Sequence, residues 1–450
     1  MMNRQGFESL VDRIFASRKS GEHFFVNLID EDTQFIRING AKVRQIGSVA
    51  SGSLEIALVL ETPAGLKRAT RACTVTGLSW QDWNEVEAML KHLRAETPEL
   101  PVDPYAELPQ NHGSSEPGDL GTRGELLTRD QALDSILGEA VQGLDLAGIY
   151  ASGPMTRAMA NTAGQRLWFS TETFSLDYSV YTPNQRALKG TFAGKSWNLS
   201  LFQKEMESVR KRLPILEKPA KKVARGNHRT YLAPAALHDF VAMLSWGCIG
   251  EAAIQQGDSS LRKVRAGDKS FSPLFNLSED FSGGEVPRFN ALGEIAPEKL
   301  PLVRGGKLEN TLVSARTAKE YGVSSNGAAA SEGMRAISVA AGTLAEDQIL
   351  SALGTGLYLS NLHYLNWSDQ VGGRITGMTR YACFWVENGE IIAPIENMRW
   401  DDSIFTVLGT QLEALTRDRA YLPEVGTYER RELGGSWMPG ALLKQMDFTL

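Results

Sequence analysis

From His23 to Val75 the chain reads as one strand-like run after another, and this limits the folds open to it more than any other feature. His23 to Ile29 and Thr33 to Ile38 are β-branched and aromatic. Lys42 to Val49, Ser53 to Glu61 and Lys67 to Val75 continue the pattern. Asn39-Gly40 is the dipeptide a type I′ hairpin turn prefers, because both positions need positive φ. Pro63-Ala64-Gly65 marks a second turn. Strands that cluster instead of alternating with helices predict an α+β fold, not a doubly wound one.

Helices frame this run. Phe7, Leu10, Val11, Ile14 and Phe15 recur at amphipathic spacing until Gly21, and a second helix from an N-cap at Ser79 presents Trp83, Val86, Leu90 and Leu93. The order then begins again. Ala132 to Leu137 predicts a helix, Leu146 to Ala151 a strand, Asn161 to Gly164 a turn, Arg166 to Tyr181 more strand, and Leu201 to Leu213 a closing helix. Helix, hairpin, sheet, helix twice over predicts an internally duplicated N-terminal domain over 1–220. Between the copies, 97–128 holds five prolines and no periodicity, and reads as a linker-like excursion. Pattern breaks at Leu216 to Gly226, so a second, β-rich domain is expected over 221–450. Its signals are a helix over Ala233 to Trp246, helices near Arg316 to Tyr321 and Ala345 to Leu353, a strand at Leu357 to Leu362, and a hairpin turning at Asn388-Gly389.

A net charge of -6 argues against a general nucleic-acid binder, which needs a basic face to displace counterions. The basic cluster Lys218 to Arg229 reads as a solvated linker. Cys73, Cys248 and Cys383 lie far apart with no Cys-x-x-Cys pair, which suits a reducing cytoplasm, and no secretory signal or membrane span is expected. A zinc hydrolase needs two imidazoles one helical turn apart with a carboxylate to polarise water. His23, His92, His112, His228, His238 and His363 give no such pair, and no His-Glu dipeptide occurs. His238-Asp239 is the nearest remnant. Cys248 reads as a buried structural thiol, and Gly257-Asp-Ser-Ser-Leu261 lacks the late histidine a serine hydrolase would require. Arg304-Gly-Gly-Lys307 and Gly354-Thr-Gly356 fail as phosphate and dinucleotide loops. Tyr358 to Trp367, followed by Gly372-Gly-Arg-Ile-Thr-Gly377, is the best candidate binding surface, because exposed glycines admit another backbone and aromatics supply contact area. A core strand with a flexible loop is the competing reading of that stretch.

Three segments carry a resemblance: Pro301 to Asn310, Tyr321 to Gly327, and Phe384-Trp-Val-Glu-Asn-Gly-Glu-Ile391. They resemble the PmbA/TldD family, also labelled modulator of DNA gyrase, and Thr376 to Arg380 is similar to its PmbA (TldE) branch. The resemblance implies a cytoplasmic pair in which a TldD-like zinc peptidase joins a metal-free TldE-like partner around a chamber that degrades or processes unfolded peptides. In the zinc subunits a His-Glu-x-x-x-His motif lies on the helix opening the C-terminal domain, here Phe240 to Glu251. On this reading the chain is the subunit without catalysis of its own, with no metal and no cofactor, the zinc belonging to the partner. Substrate would be held as an extended strand, with Asn361, His363, Arg374, Thr376 and Arg380 as the expected contacts. The alternative is a homodimeric peptide-binding scaffold without turnover.

Overall fold

The computed structural model describes residues 1–113 and 123–449, so 114–122 of the expected excursion lie outside the described residues. The first half is helix α1 (Arg4–Ala16), strands β1 (Glu22–Asn39), β2 (Lys42–Thr62) and β3 (Gly65–Val75), and helix α2 (Ser79–Glu96). The same order then repeats as α3 (Arg129–Leu137), β4 (Asp145–Asn161), β5 (Arg166–Tyr181), β6 (Ala187–Gly194) and α4 (Leu199–Glu217). The two units join through antiparallel β1 and β4 into one sheet of order β3-β2-β1-β4-β5-β6. The duplication expected from the sequence is thus present as a structural repeat.

Local chemistry sets the elements. Asn3 caps α1, its Oδ1 accepting from the Gly6 N–H at 2.8 Å, and Thr128 with Gln131 forms a capping box at α3. Leu78, not Ser79, occupies the cap position of α2; Asp82 in its first turn instead accepts from the N–H groups of Thr76 and Gly77. By the two-residue period, β1 places Val26 and Leu28 beneath α1 and α2, and Ile36 and Ile38 in the core with α3 and α4. Phe25 looks the other way, toward Phe289 and Leu433 of the second half.

Two sequence expectations need correction here. The strands expected at 23–29 and 33–38 are one strand, because the acidic run between them finds partners: Asp30 accepts from Met2 N–H at 2.5 Å and Glu31 from Arg431 N–H at 2.9 Å. The hairpin turn is Gly40-Ala41, one residue later than expected, since a register shift at Arg37/Ile38 moves Asn39 into the ladder opposite Lys42.

The second half is built on a larger mixed sheet. Its hub is the strand Gly435–Phe448, which pairs antiparallel with Gly226–Leu232, Arg399–Ser403 and Leu412–Pro423, and parallel with Ile337–Val339. The helix read over Ala233 to Trp246 is Pro234–Ala242 followed by a 3-10 turn at Met243–Ser245. The strand read at Leu357 to Leu362 divides into Gly356–Leu359 and Asn361–Asp369.

Side chains tie the halves together. Arg431, 5% exposed, reaches from the loop before the hub strand into the first sheet and donates to the carbonyls of Gly153 and Thr173, each at 3.2 Å. The described part of the excursion is also fastened: Asp103 N–H bonds Leu66 O at 2.8 Å while its carboxylate meets Arg316 at 3.0 Å, and Lys319 donates to Ala106 O at 2.6 Å. The basic cluster is no free solvated linker either. Lys221 pairs with Glu387 at 2.6 Å and lies over the Trp385 ring, and its backbone bridges to the strand region at Ile395.

Candidate functional site

All five expected contact residues share one face of a hairpin made by Asn361–Asp369 and Arg374–Arg380, with Arg399–Ser403 as a third strand. Along the second strand burial alternates: Ile375, Gly377 and Thr379 point to the core, whereas Arg374, Thr376 and Arg380 point outward. Asn361 stands opposite Arg380, on the same face. His363, opposite Met378, comes just before a bulge at Tyr364, whose φ of 52 leaves that ring 77% exposed and 4.1 Å from the imidazole. The residues differ in freedom. Arg374 is paired to Asp401, and Thr376 Oγ1 donates to Trp400 O and accepts from Arg399 Nε, each at 3.1 Å, so both brace the face. Of the other three, Arg380 lies over the Tyr381 ring and His363 against that of Tyr364.

The hairpin is held from behind by the helix Pro234–Ala242 and the turn after it. Asp239 Oδ2 accepts from Leu362 N–H at 3.0 Å, Trp367 Nε1 donates to Trp246 O at 2.9 Å, and Gln370 Nε2 to Gly247 O at 2.8 Å. The helix buries Leu237, Phe240 and Val241. His238 Nδ1 is buried without a hydrogen-bond partner, and burial lowers the pKa of its ring. Among the described residues, His, Cys, Asp and Glu nowhere gather in threes as a metal ion would need.

Asp239 was noted from the sequence only as part of that remnant, yet it is the most perturbed carboxyl on this side. Burial pushes it up to about 7, against the Leu362 N–H and the Lys189 charge. An acid whose folded pKa is raised contributes stability below its unfolded value near 4, and this is lost as pH rises through about 7. Asp239→Asn keeps an acceptor for Leu362 and removes the buried charge. It is expected to raise the melting temperature relative to wild type at pH 8 and to make little difference at pH 4; an equal shift at both values would show that Asp239 does not titrate there.

A cleft of about 940 Å³ opens elsewhere in the second half. It brings together two segments that carried the family resemblance, Gly306 to Asn310 and Val323 to Asn326. The sharp Gly305-Gly306 turn, with φ of 54 and 77, starts the first, and Gly306 must be glycine because a Cβ would lie 2.4 Å from Phe271 O. Asn326 staples the second, donating to Thr311 O at 2.7 Å and accepting from Val313 N–H at 3.0 Å. At the cleft wall Glu251 is 4% exposed. Burial opposes its charge, but hydrogen bonds from Arg265, Thr311 and Gln255 outweigh this and hold the carboxyl at about 2. It is a fixed anion, not a proton shuttle. Nothing local in the sequence marks it, since Thr311 lies far along the chain.

The thiol and serine candidates are structural. Cys248 is fully buried with its pKa raised by burial, Ser259 Oγ donates to Cys248 O at 2.6 Å, and Ser260 Oγ lies 3.2 Å from Cys248 Sγ. No helix among the described residues is long and apolar enough to cross a membrane.

Comparison with known proteins agrees with this architecture. Among solved structures, TldE from Thermococcus kodakarensis superposes with a TM-score of 0.79 at 12% identity, covering 99% of this chain and 100% of that one. A Thermotoga maritima MSB8 protein, provisionally described as a modulator of a DNA gyrase, gives 0.75 at 16%, covering 98% and 100%. A Bacteroides thetaiotaomicron VPI-5482 protein of the same description gives 0.75 at 16%, covering 99% and 98%. At such identities these likenesses establish the fold. No curated protein matches the chain. The PmbA/TldA metallopeptidase C-terminal domain matches residues 225–450, half the sequence and the part that holds both the cleft and the hairpin, and the chain therefore belongs to the PmbA/TldD family.

Proposed function

We propose that this chain is the metal-free, non-catalytic subunit of a cytoplasmic TldD/TldE-type peptidase pair, and that it holds unfolded peptide for a zinc-bearing partner. One observation carries the reading. The helix Pro234–Ala242 and the turn after it, which open the matched domain, bury Leu237, Phe240 and Leu244, and among the described residues its single histidine, His238, belongs to no group of three metal-ligating side chains. The donor set does not fit zinc. What this chain contributes instead is a braced polar face, in which Asn361, His363 and Arg380 can meet peptide carbonyls and carboxylates with little dependence on sequence. The partner would supply the metal and the cleavage.

With the reconstituted pair, alanine at Asn361, His363 and Arg380 together should raise KM roughly tenfold and leave kcat nearly unchanged, because only ground-state binding is removed. Unaltered cleavage kinetics would overturn the substrate-holding role. Native mass spectrometry of the complex should find a second polypeptide and one zinc per pair; zinc retained by this chain alone would overturn the metal-free assignment.

A further inference from the structure

A second cavity, of about 760 Å³, lies between the first sheet and the second half, and none of the residues lining it belongs to the hairpin face or to the other cleft. β4 reaches it with Arg157. In the ladder this residue stands opposite Ile29 on β1 and Phe169 on β5, on the face whose Phe25, Met159 and Phe169 pack toward Phe289. From the other side comes Arg430, in the loop before the hub strand, anchored there by the bonds of Arg431 to the Gly153 and Thr173 carbonyls.

Neither of these half-buried guanidiniums has a carboxylate partner among the described residues. Arg157 donates to the Thr156 carbonyl at 2.9 Å, and the side chain of Arg430 makes no hydrogen bond or ion pair with a described residue. The two feel each other. Burial first, and then the charge of Arg430, lower the Arg157 group to about 10, with Glu31 and Asp30 opposing. Those two acids are already engaged, Asp30 by the Met2 N–H and Glu31 by the Arg431 N–H. Like charges brought together away from water destabilise a fold unless an anion joins them.

The rest of the lining decides which anion. Arg157, Arg335 and Arg430 are matched by Glu55, Glu424 and Glu432, so the cavity has no surplus of positive charge for a phosphate dianion or a nucleic acid. Arg335 is occupied by the Phe289 and Gly327 carbonyls, and none of the three glutamates pairs with Arg157 or Arg430. What remains is a local pair of guanidiniums beside Phe289, Met334 and Leu433. Two planar forks suit the two oxygens of one carboxylate, and the apolar wall suits a hydrocarbon body that carries it.

We propose that this cavity is a carboxylate site in which Arg157 and Arg430 receive the C-terminal carboxylate of a peptide, with its last side chain against Phe289, Met334 and Leu433. The choice of a peptide rests on the peptidase-pair reading; the carboxylate rests on the two arginines alone.

The test is fluorescence anisotropy on the full chain by itself, with a labelled Gly-Ala-Ala-Leu peptide made once as the free acid and once as the C-terminal amide. The acid should bind roughly tenfold more tightly than the amide, about the effect of one charge-assisted hydrogen bond. Arg430→Gln and, separately, Arg157→Met should bring the two peptides to equal affinity. Neither should lower the melting temperature of the free chain, because each removes an unpaired charge. Arg380→Ala, on the hairpin face, should leave the acid-to-amide ratio as it is. Equal binding of acid and amide by the wild type, a ratio indifferent to both arginine variants, or displacement of the peptide by inorganic phosphate would each overturn the proposal. If N-acetyl-leucine competes as strongly as the unlabelled peptide, the site takes small carboxylates and the peptide assignment fails. Loss of the acid preference is separable from loss of the pair: no preference, with cleavage by the reconstituted pair intact, sinks this site alone, whereas a preference in a chain that never supports cleavage sinks the pair and leaves the carboxylate site standing.

Discussion

Arg431→Ala should destabilise the folded chain by about 3–5 kcal/mol, the range for removing one partner from a buried charged network. Burial lowers the guanidinium to about 10, with Glu31 opposing that shift, so the group is cationic at neutral pH and has its counter-charge close by. Alanine would keep the backbone bond to Glu31 and strand everything else. The Gly153 and Thr173 carbonyls would lose their donor, and Glu31, 4% exposed, would keep only Arg157 of its two neighbouring cations. Gly153 cannot relax to compensate, because its φ is 144 and its Cα already lies against Asp32 O, which a Cβ would approach to 1.9 Å. Arg431→Lys should recover only part of the loss, since an ammonium lacks the planar fork that spans two carbonyls. Urea unfolding checks this directly, and a midpoint change equivalent to less than about 1 kcal/mol would mean that Arg431 does not lock the halves together.

Trp400→Ala should cost a similar amount, about 3–5 kcal/mol, by opening a cavity beneath the candidate binding face. The indole is fully buried, lies 5.7 Å from the Phe240 ring, and covers Gly377, where a Cβ would come within 2.5 Å of it. Trp400→Phe is expected to cost much less than alanine, because the indole N–H has no hydrogen-bond partner and its loss leaves nothing newly unpaired. Thermal unfolding of the two variants separates the effects: near-equal losses would show that volume is not what the site requires. Because Gly377 and Trp400 sit directly behind Thr376 and Arg399, the alanine variant should also loosen peptide binding.

Elements with a strong local signature could be read from the sequence. The Asn388-Gly389 turn, with φ of 50 and 81, joins Phe384–Glu387 to Glu390–Pro394 as its dipeptide predicts, and Ala315–Tyr321 forms where its pattern placed it. The repeat was visible because each copy opens and closes with an amphipathic helix. What misled the reading were charges satisfied at a distance. Asp30 and Glu31 look like a loop until Met2 and Arg431 are seen to bond them, and Lys221 looks solvated until Glu387 and Trp385 arrive from far along the chain. The same holds at the candidate sites. The hairpin face was legible from Gly372-Gly373 and its flanking strands, but not that Arg374 and Thr376 are occupied by Asp401 and Arg399. Glu251 carried no signal, because its meaning depends on Arg265 and Thr311 meeting it in space.

The hub strand has a consequence for the order in which the molecule can assemble as it leaves the ribosome. The first sheet has all its strands by residue 194, through meanders whose neighbours in space are mostly neighbours in sequence. The second does not. Gly226–Leu232 finds its antiparallel partner only in 435–448, more than two hundred residues later, and Arg399–Ser403 and Leu412–Pro423 wait for that same strand. Until 435–448 has been made, each of these strands keeps one edge without its partner beside the first sheet, the kind of exposed edge at which a nascent chain is prone to mispair.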